Sequence, residues 1–231
     1  MTELVLIANA GDATISAFAL EGERLVPLVT TDLPGSSSTF AVDPVARLVY
    51  AFVTADVPSI VTLALGADGT LVETSRSACG AAMAYLELTP DGRWLLGASY
   101  HAGVGAVWPV SDGVLGTPTA EIAFPNLHCV KVTADGEYAY FVSLGAELIA
   151  QYALNEGALT PLDPPTVAGP EGSGPRHLVL SADENDLSPR ACTMTDGERA
   201  GRRAEVVRRL REVARRFFAA CKTTSEELQR A

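Results

Sequence analysis

Short apolar segments separated by polar turns run through residues 1–184. They span four to seven residues, and they either alternate apolar with polar positions or are rich in β-branched and aromatic side chains, as in LVLIAN, TISAFAL, SIVTLAL, GAVWPV and LIAQYAL. Both patterns are typical of β-strands. The three- and four-residue spacing that marks an amphipathic helix is absent from this part of the chain. These segments therefore predict an all-β fold for residues 1–184.

The strands recur with a fixed period. Four stretches share the order apolar strand, polar turn, apolar strand, at residues 40–52, 86–99, 130–143 and 178–183. Their turn positions are spaced by 46, 44 and 48 residues, at Pro44, Pro90, Ala134 and Ala182. A second set of turns, out of phase with the first, is spaced by 47, 44 and 44 residues, at Gly22, Gly69, Gly113 and Gly157. Two independent series of turns therefore keep one period of about 46 residues.

A repeat of this length with about four strands is typical of one blade of a β-propeller, in which four-stranded antiparallel sheets are arranged radially around a central channel. A β-sandwich is the alternative for a chain rich in short strands and turns, but it gives no reason for a fixed period. We therefore predict a partial β-propeller of about four blades over residues 1–184.

The repeat stops after Asp183, and the composition changes there. Residues 186–231 hold 11 of the 17 basic and 7 of the 28 acidic residues, a net charge of +4, whereas residues 1–185 carry −15. Thr195 and Glu198 form a capping-box pattern. The apolar positions that follow are spaced as one face of a helix, at Val206, Leu210, Val213 and Phe217. We predict that residues 185–231 form a basic tail with an amphipathic α-helix, which packs against the protein or a partner. Binding of anionic lipid or nucleic acid is the alternative for such a helix.

Charge, hydropathy and cysteine spacing argue against several classes of protein. The net charge of −11 disfavours a nucleic-acid binder. No stretch reaches the ~18 consecutive apolar residues of a membrane-spanning helix, and Glu3 stands where a secretory signal would carry positive charge. The cysteines have no metal-binding or disulfide-framework spacing, at Cys79, Cys129, Cys192 and Cys221. We expect a cytoplasmic protein that binds neither nucleic acid nor membrane and needs no metal or other cofactor.

Three histidines and one arginine are the candidates for chemistry. His128 precedes the strand CVKVT, and His177 takes a similar place one repeat later in GSGPRHLVLS, where an innermost strand would begin at the rim of the channel. Arg176 has the fork of N–H donors that binds carboxylate or phosphate. His101 lies in a turn between strands, in SYHAGVGAV. The alternative is that these side chains only satisfy backbone carbonyls between blades.

Motifs of other enzyme classes are missing from the sequence. It contains no serine-hydrolase elbow, P-loop, dinucleotide-binding glycine pattern or zincin motif. These absences argue against a serine hydrolase, an NTPase, a dehydrogenase and a zinc protease.

Three segments resemble the propeller-type lactonase family, which includes the bacterial 6-phosphogluconolactonases of the pentose phosphate pathway. They are SYHAGVGAVWPVSDG (99–113), LHCVKVTADGEYAYFVSLGAELIAQYAL (127–154) and GSGPRHLVLSAD (172–183). The resemblance covers residues 1 to about 184 and implies part of a seven-bladed propeller, about three blades short of a ring. It also implies a hydrolase that opens a sugar-phosphate lactone by metal-independent attack of water.

The resemblance implies an active site at the channel mouth, made by a histidine, an arginine and a glutamate. The histidine corresponds to His128, the expected general base, and the arginine to Arg176, the expected ligand of the substrate anion or oxyanion. His177 and His101 are expected to bind substrate. The glutamate should end the strand close to Cys192, and no acid stands there.

Three interpretations of the whole chain stay open. The first is a sugar-lactone hydrolase, and the second is a non-catalytic interaction module whose basic helix docks a partner. The third is a chain altered by a gene truncation, a fusion or a sequence error. Four blades would leave two open flanks, which the tail helix or a second copy of the chain would cover, and which would favour aggregation if nothing covered them. A homo-oligomer formed through the open blade edges is one of these alternatives.

Overall fold

The computed structural model describes residues 3–181 and, as backbone, residues 187–191, which form five antiparallel sheets with no α-helix in these two ranges. The first sheet contains β1 (Glu3–Asn9), β2 (Thr14–Glu21) and β3 (Arg24–Asp32), with a 3-10 helix at Ala10–Asp12. The second sheet contains β4 (Phe40–Asp43), β5 (Leu48–Val53), β6 (Ser59–Leu65) and β7 (Leu71–Ala78).

The remaining sheets follow in chain order. The third contains β8 (Tyr85–Leu88), β9 (Trp94–Ala98), β10 (Val104–Ser111), β11 (Val114–Leu115) and β12 (Ala120–Ala123). The fourth contains β13 (Leu127–Val132), β14 (Tyr138–Ser143), β15 (Leu148–Asn155) and β16 (Ala158–Ala168). The fifth contains β17 (Pro175–Leu180) and β18 (Leu187–Ala191). Within each sheet, strands that are consecutive in sequence pair with each other, except that β12 pairs with β10 and not with β11.

Four strands come first in their sheets and lie at one edge of them, namely β4, β8, β13 and β17. They contact one another in succession, β4 with β8, β8 with β13, and β13 with β17. Successive sheets therefore meet along these inner strands and extend outward from them, which is the arrangement of propeller blades around a channel. The predicted all-β fold of propeller type is confirmed for the described residues.

The first and fifth sheets are incomplete blades within the described residues. The hairpin β2–β3 turns at Gly22 as β6–β7 turns at Gly69, so β1 corresponds to the second strand of a blade. The fifth sheet has the first and second strands of a blade, β17 and β18. In the described part of the chain, β1 pairs only with β2 and β18 only with β17. One blade therefore has no inner strand there, and another has no outer pair.

The glycines of the second turn series occupy one backbone conformation. Gly22, Gly69, Gly113 and Gly157 have φ angles of 61°, 86°, 78° and 75°, and each lies in the hairpin before the outer strand of its blade. A left-handed φ is costly for residues with a Cβ atom, so the turns use glycine. The 44- to 47-residue spacing of these glycines is the spacing of the blades.

Two of the hairpins between first and second strands, in the third and fourth sheets, repeat one hydrogen-bond pattern. In the third sheet, the Thr89 hydroxyl donates to Asp91 Oδ1 at 2.6 Å, and the same carboxylate oxygen accepts from the Arg93 amide at 3.1 Å. In the fourth sheet, Thr133 and Asp135 make the equivalent hydroxyl bond at 2.5 Å. The side chains thus satisfy the backbone of a tight turn and fix the register of these two hairpins.

The core consists of clusters between neighbouring sheets. Ile15 of the first sheet packs with Val49 and Val61 of the second, while Trp108 of the third packs with Tyr50 of the second. The third and fourth sheets share the cluster that contains Leu96, Val107, Val130, Ala139 and Phe141. Leu178 of β17 packs on Cys129, Tyr140 and Val142 of the fourth sheet. The second, third and fourth sheets are therefore buried on both faces, which explains their near-continuous apolar strands.

The repeat extends slightly beyond the boundary expected from sequence. Strand β18 begins at Leu187, past the predicted boundary at residue 184, and its register with β17 runs from Leu180–Leu187 to Pro175–Ala191. Backbone pairing in an antiparallel hairpin does not require the apolar pattern that the sequence loses after Asp183. The predicted tail helix, including the stripe from Val206 to Phe217, lies outside the described residues.

Two further findings concern the described residues. Cys79 and Cys129 are free thiols. Among the residues that were described, there is no helix whose length and apolar character would allow it to cross a membrane.

Candidate active site

Two of the predicted site residues meet at one end of the inner strands. His128 is the second residue of β13, and Arg176 is the second residue of β17. Because β13 and β17 are neighbours, these equivalent positions bring the side chains together although they are 48 residues apart in sequence. Arg176 Nε donates a hydrogen bond to His128 Nε2 at 2.7 Å.

This bond defines the state of the His128 ring. A neutral imidazole that accepts at Nε2 carries its proton at Nδ1. The Nδ1 atom is buried and has no hydrogen-bond partner, and the residue is only 9% exposed. Burial lowers the pKa of His128 to about 4, and electrostatic interactions with Arg176 and then His177 act in the same direction. His128 is therefore an uncharged acceptor at neutral pH.

Aromatic contacts extend the site around His128. The His177 ring lies 5.0 Å from the His128 ring, edge to face, and the Tyr100 ring lies 5.8 Å from it on a similar edge-to-face geometry. Tyr85 contacts His177 with 6.2 Å between ring centroids. His101 is exposed and contacts Tyr100 at 5.2 Å. The structure thus brings His128, Arg176 and His177 together and places His101 beyond Tyr100.

A carboxylate supports the loop that carries Arg176. Glu147, in the turn between β14 and β15, accepts from the Gly169 amide through its backbone oxygen at 2.6 Å. Its side-chain Oε1 accepts from the Gly174 amide at 3.4 Å. Ser173 between these two glycines is buried, and its hydroxyl oxygen has no hydrogen-bond partner. Glu147 therefore holds both ends of the segment 169–174 against the fourth sheet.

An ion pair lies deeper along the inner strands. Lys131 on β13 donates from Nζ to Glu87 on β8, at 3.0 Å to Oε1 and 2.9 Å to Oε2. Burial raises the pKa of Glu87, while Lys131 opposes this by favouring the charged carboxylate. Burial also disfavours the charged ammonium, yet its bonds to Tyr85 and Glu87 raise the pKa of Lys131 above the ordinary value. Both groups are partly desolvated, and each holds the other in its charged form.

The sequence-based prediction missed these residues, although the repeat contains a signal for the ion pair. Glu87 in LELTPDG and Lys131 in VKVTADG stand four residues before the aspartate of their turn. Opposite charges at equivalent positions of neighbouring repeats face each other when inner strands lie side by side. No comparable signal marks Glu147, because its role depends on the path of the loop 169–174.

The arrangement is suited to binding an anion next to a neutral imidazole. Arg176 is exposed, and its terminal N–H groups remain as further donors once Nε is bonded to His128. Planar guanidinium groups bind carboxylate and phosphate oxygens in pairs. Among the described residues, no group of three or more His, Cys, Asp or Glu side chains is placed so that it could hold a metal ion.

The sequence matches one protein family over most of its length. Residues 5–189 match the family described as lactonase, seven-bladed β-propeller. The chain belongs to this family. The resemblance inferred from the motifs around His128 and Arg176 is therefore confirmed at the level of the family.

Related proteins and structures agree with this assignment. The chain is 26% identical over 183 residues to 6-phosphogluconolactonase of Klebsiella pneumoniae, covering 78% of this chain and 55% of that protein. The structure matches the periplasmic gluconolactonase PpgL of Pseudomonas aeruginosa with a TM-score of 0.70 and 26% identity, covering 82% of this chain and 61% of that one. It matches a candidate 6-phosphogluconolactonase of Bacteroides fragilis with a TM-score of 0.71 and 25% identity, covering 81% and 60%.

The chain spans 55% of the length of the Klebsiella pneumoniae protein and 60% and 61% of the lengths of the two matched structures. It therefore contains the blades that carry His128 and Arg176 but not the whole of a related propeller. The position expected for the family's glutamate, close to Cys192, lies outside the described residues.

Proposed function

We propose that this chain is a hydrolase for sugar-acid lactones that carry an anionic group such as a phosphate. The observation that carries the proposal is the bond between Arg176 and His128, because it places a guanidinium that can bind an anion directly beside a neutral imidazole. Membership of the lactonase family and likeness to 6-phosphogluconolactonase and gluconolactonase support the same class of reaction.

Arg176 and His128 have different roles in the proposed reaction. Arg176 binds the anionic group or the developing oxyanion of the lactone carbonyl. His128 Nε2 takes a proton from water as the water oxygen bonds to the carbonyl carbon. The bond between that carbon and the ring oxygen then breaks, and the proton passes from the imidazolium to the leaving oxygen. The product is the open-chain acid, and His128 returns to its neutral form.

Substrate binding prepares His128 for this role. In the structure its Nε2 lone pair is occupied by the Arg176 N–H, and the nearby guanidinium helps to lower its pKa. An imidazole is an effective general base when its lone pair is free and its pKa lies near the working pH. An anion that binds Arg176 draws the guanidinium from Nε2 and offsets its charge. Both changes make His128 a stronger base, so the anionic group contributes to rate as well as to binding.

His177 and His101 complete the proposal as substrate-binding groups. The partly exposed His177 ring lies 5.0 Å from His128 and His101 is exposed beyond Tyr100, so both have access to a substrate bound at Arg176. Neutral or protonated imidazole donates hydrogen bonds to phosphate or carboxylate oxygens.

A rate measurement tests the function. The purified chain should hydrolyse 6-phosphogluconolactone faster than the spontaneous reaction, and faster than it hydrolyses the unphosphorylated lactone. Arg176→Gln should lower kcat/KM for the phosphorylated lactone by about tenfold or more, since it removes a charged hydrogen bond to the anion. Arg93→Gln is the matched control, because Arg93 is an exposed arginine in the turn between β8 and β9 that pairs with Glu156. A rate equal to the spontaneous rate would overturn the proposal.

A titration tests the coupling between Arg176 and His128. The pKa of His128, followed by NMR of its ring protons, should rise from about 4 by at least one unit when inorganic phosphate is added. Arg176→Gln should raise the pKa without phosphate and abolish the response to phosphate. A His128 pKa that phosphate leaves unchanged would show that the anion does not act through Arg176.

A further inference from the structure

A cleft opens between the inner strands β4 and β8, beside the candidate active site. Its volume is about 430 Å³, and residues 38–42 and 85–88 line it. Small-molecule sites typically occupy about 300–1,000 Å³. The cleft is therefore large enough for part of a small ligand, and it belongs to the same row of inner strands as His128 and Arg176.

The wall of the cleft offers a hydrogen-bond acceptor and hydroxyl groups to a ligand. Glu87 accepts two hydrogen bonds from Lys131, one on each carboxylate oxygen, and a further one from the Val132 backbone amide. An ionised carboxylate has about four acceptor positions, so about one stays open on this residue of the cleft wall. The hydroxyl of Thr39 accepts from the Leu86 amide at 3.2 Å, which leaves its proton for a further acceptor. Ser38 adds an exposed hydroxyl at the rim.

The charge of the cleft selects among ligands. A carboxylate favours groups that donate hydrogen bonds, such as alcohols, and repels phosphate. Lys131 neutralises Glu87 from the side of β13, and it does not line the cleft. The cleft thus complements an uncharged, hydroxyl-rich group, in contrast to the exposed guanidinium of Arg176.

Tyr85 connects the cleft with the site around His128. Its ring contacts His177 at 6.2 Å, Lys131 lies 5.2 Å from its centroid, and the residue lines the cleft. A ligand bound at Arg176 and His177 can therefore continue past Tyr85 toward Glu87 without leaving the row of inner strands.

We propose that the β4–β8 cleft binds the polyhydroxylated carbon chain of the substrate, with Glu87 accepting hydrogen bonds from its hydroxyl groups and Tyr85 forming the shared wall. This inference rests on the proposed function, because the substrate class comes from it. It adds a specificity site that distinguishes sugar-derived lactones from unsubstituted ones.

Binding of two stable probes by the intact chain tests the inference independently of hydrolysis. D-gluconate and hexanoate both have six carbons and one carboxylate, but hexanoate has no hydroxyl groups. Backbone amide shifts measured by NMR should respond to gluconate at Val42, Glu87 and Leu88 as well as at Arg176 and His177. Hexanoate should affect only Arg176 and His177.

Variants at the ion pair sharpen the test. Glu87→Gln should weaken gluconate binding by about tenfold and leave hexanoate binding unchanged, as expected for the loss of a charged acceptor. Because this change leaves Lys131 unpaired, the double variant Glu87→Met/Lys131→Met provides a second form without buried charge, and it should show the same loss. Glu137→Gln, at an exposed glutamate outside the cleft, is the matched control and should bind gluconate normally.

The outcomes separate the inference from the proposed function. Gluconate shifts confined to Arg176 and His177 would overturn the cleft site while leaving the lactonase proposal intact. Shifts at Val42, Glu87 and Leu88 in a protein without lactonase activity would support the site and overturn the function. Equal loss of gluconate and hexanoate binding in the Glu87 variants would indicate a structural role for Glu87 and overturn the inference.

Discussion

At the scale of single residues, His128 shows how one environment determines several properties. The ring is 9% exposed, it accepts from Arg176 at Nε2, and its Nδ1 has no partner. Burial and neighbouring positive charge both penalise the imidazolium form, so the pKa falls to about 4. Its place at an inner strand could be predicted from the repeat in the sequence. Its protonation state depends on Arg176, which is distant in sequence.

The depressed pKa makes His128 a source of pH-dependent stability. Its ordinary pKa is 6.5 and its folded value is about 4, so between these values the unfolded chain binds a proton that the folded chain does not. Its contribution is present above pH 6.5 and is lost as the pH falls toward 4. The difference in unfolding free energy between the wild type and His128→Gln should shrink by up to about 3 kcal/mol over this range. Urea unfolding at several pH values measures it.

A residue that does not titrate provides the control for this prediction. Val45→Ala, at an exposed position, should leave the pH profile of stability parallel to that of the wild type. Parallel profiles for the wild type and His128→Gln would contradict the lowered pKa.

At the scale of elements, the outer hairpins combine a local requirement with a packing requirement. All four repeated glycines have positive φ, but their surroundings differ. A Cβ atom at Gly22 would meet nothing within 4 Å, whereas one at Gly157 would run into the Trp94 ring of the third sheet. The Thr119 hydroxyl of the third sheet also donates to the Gly157 carbonyl at 2.8 Å. The Gly157 hairpin is thus both a turn and a contact between blades.

This difference predicts unequal effects of two matched substitutions. Gly22→Ala should cost about 1 kcal/mol of unfolding free energy, the cost of a left-handed residue with a Cβ atom. Gly157→Ala should cost about 2–4 kcal/mol, since contact with Trp94 adds to the same backbone cost. Urea unfolding of both variants measures the difference. Equal losses would mean that Trp94 moves aside without penalty.

At the scale of the whole molecule, the open blade edges are the dominant feature of the described structure. In that part of the chain, β1 pairs only with β2, and Ile7 on this strand is 40% exposed. Unpaired strand edges with apolar side chains favour pairing with another chain. Among the described residues, core clusters fill the space between successive sheets from the first to β17.

We therefore predict concentration-dependent self-association of the 231-residue chain through the β1 edge. Ile7→Lys should shift the population toward monomer, because a charge at a strand edge opposes pairing. Leu25→Lys, at an exposed position on the outer strand β3, should not change it. Size-exclusion chromatography with light scattering at two concentrations measures the effect. Identical behaviour of both variants and the wild type would exclude β1 as the interface.

The sequence alone was sufficient for the fold class because the features that define it are local. Strand patterns depend on neighbouring residues, and the turn glycines depend on one backbone angle each, so both can be recognised in a single chain. The same holds for the period of about 46 residues, which predicted the blades and the inner position of His128. Strand β18 escaped prediction because its pairing with β17 does not depend on an apolar pattern.

Only the tertiary structure decided which side chains form the site. The bond from Arg176 to His128 spans 48 residues and the pair Glu87–Lys131 spans 44, about one blade in each case. Both contacts exist because inner strands of successive blades lie side by side, so residues one repeat apart become neighbours. The sequence determined the spacing of these residues. Their distances, their burial and the pKa of His128 follow from the packing of one blade against the next.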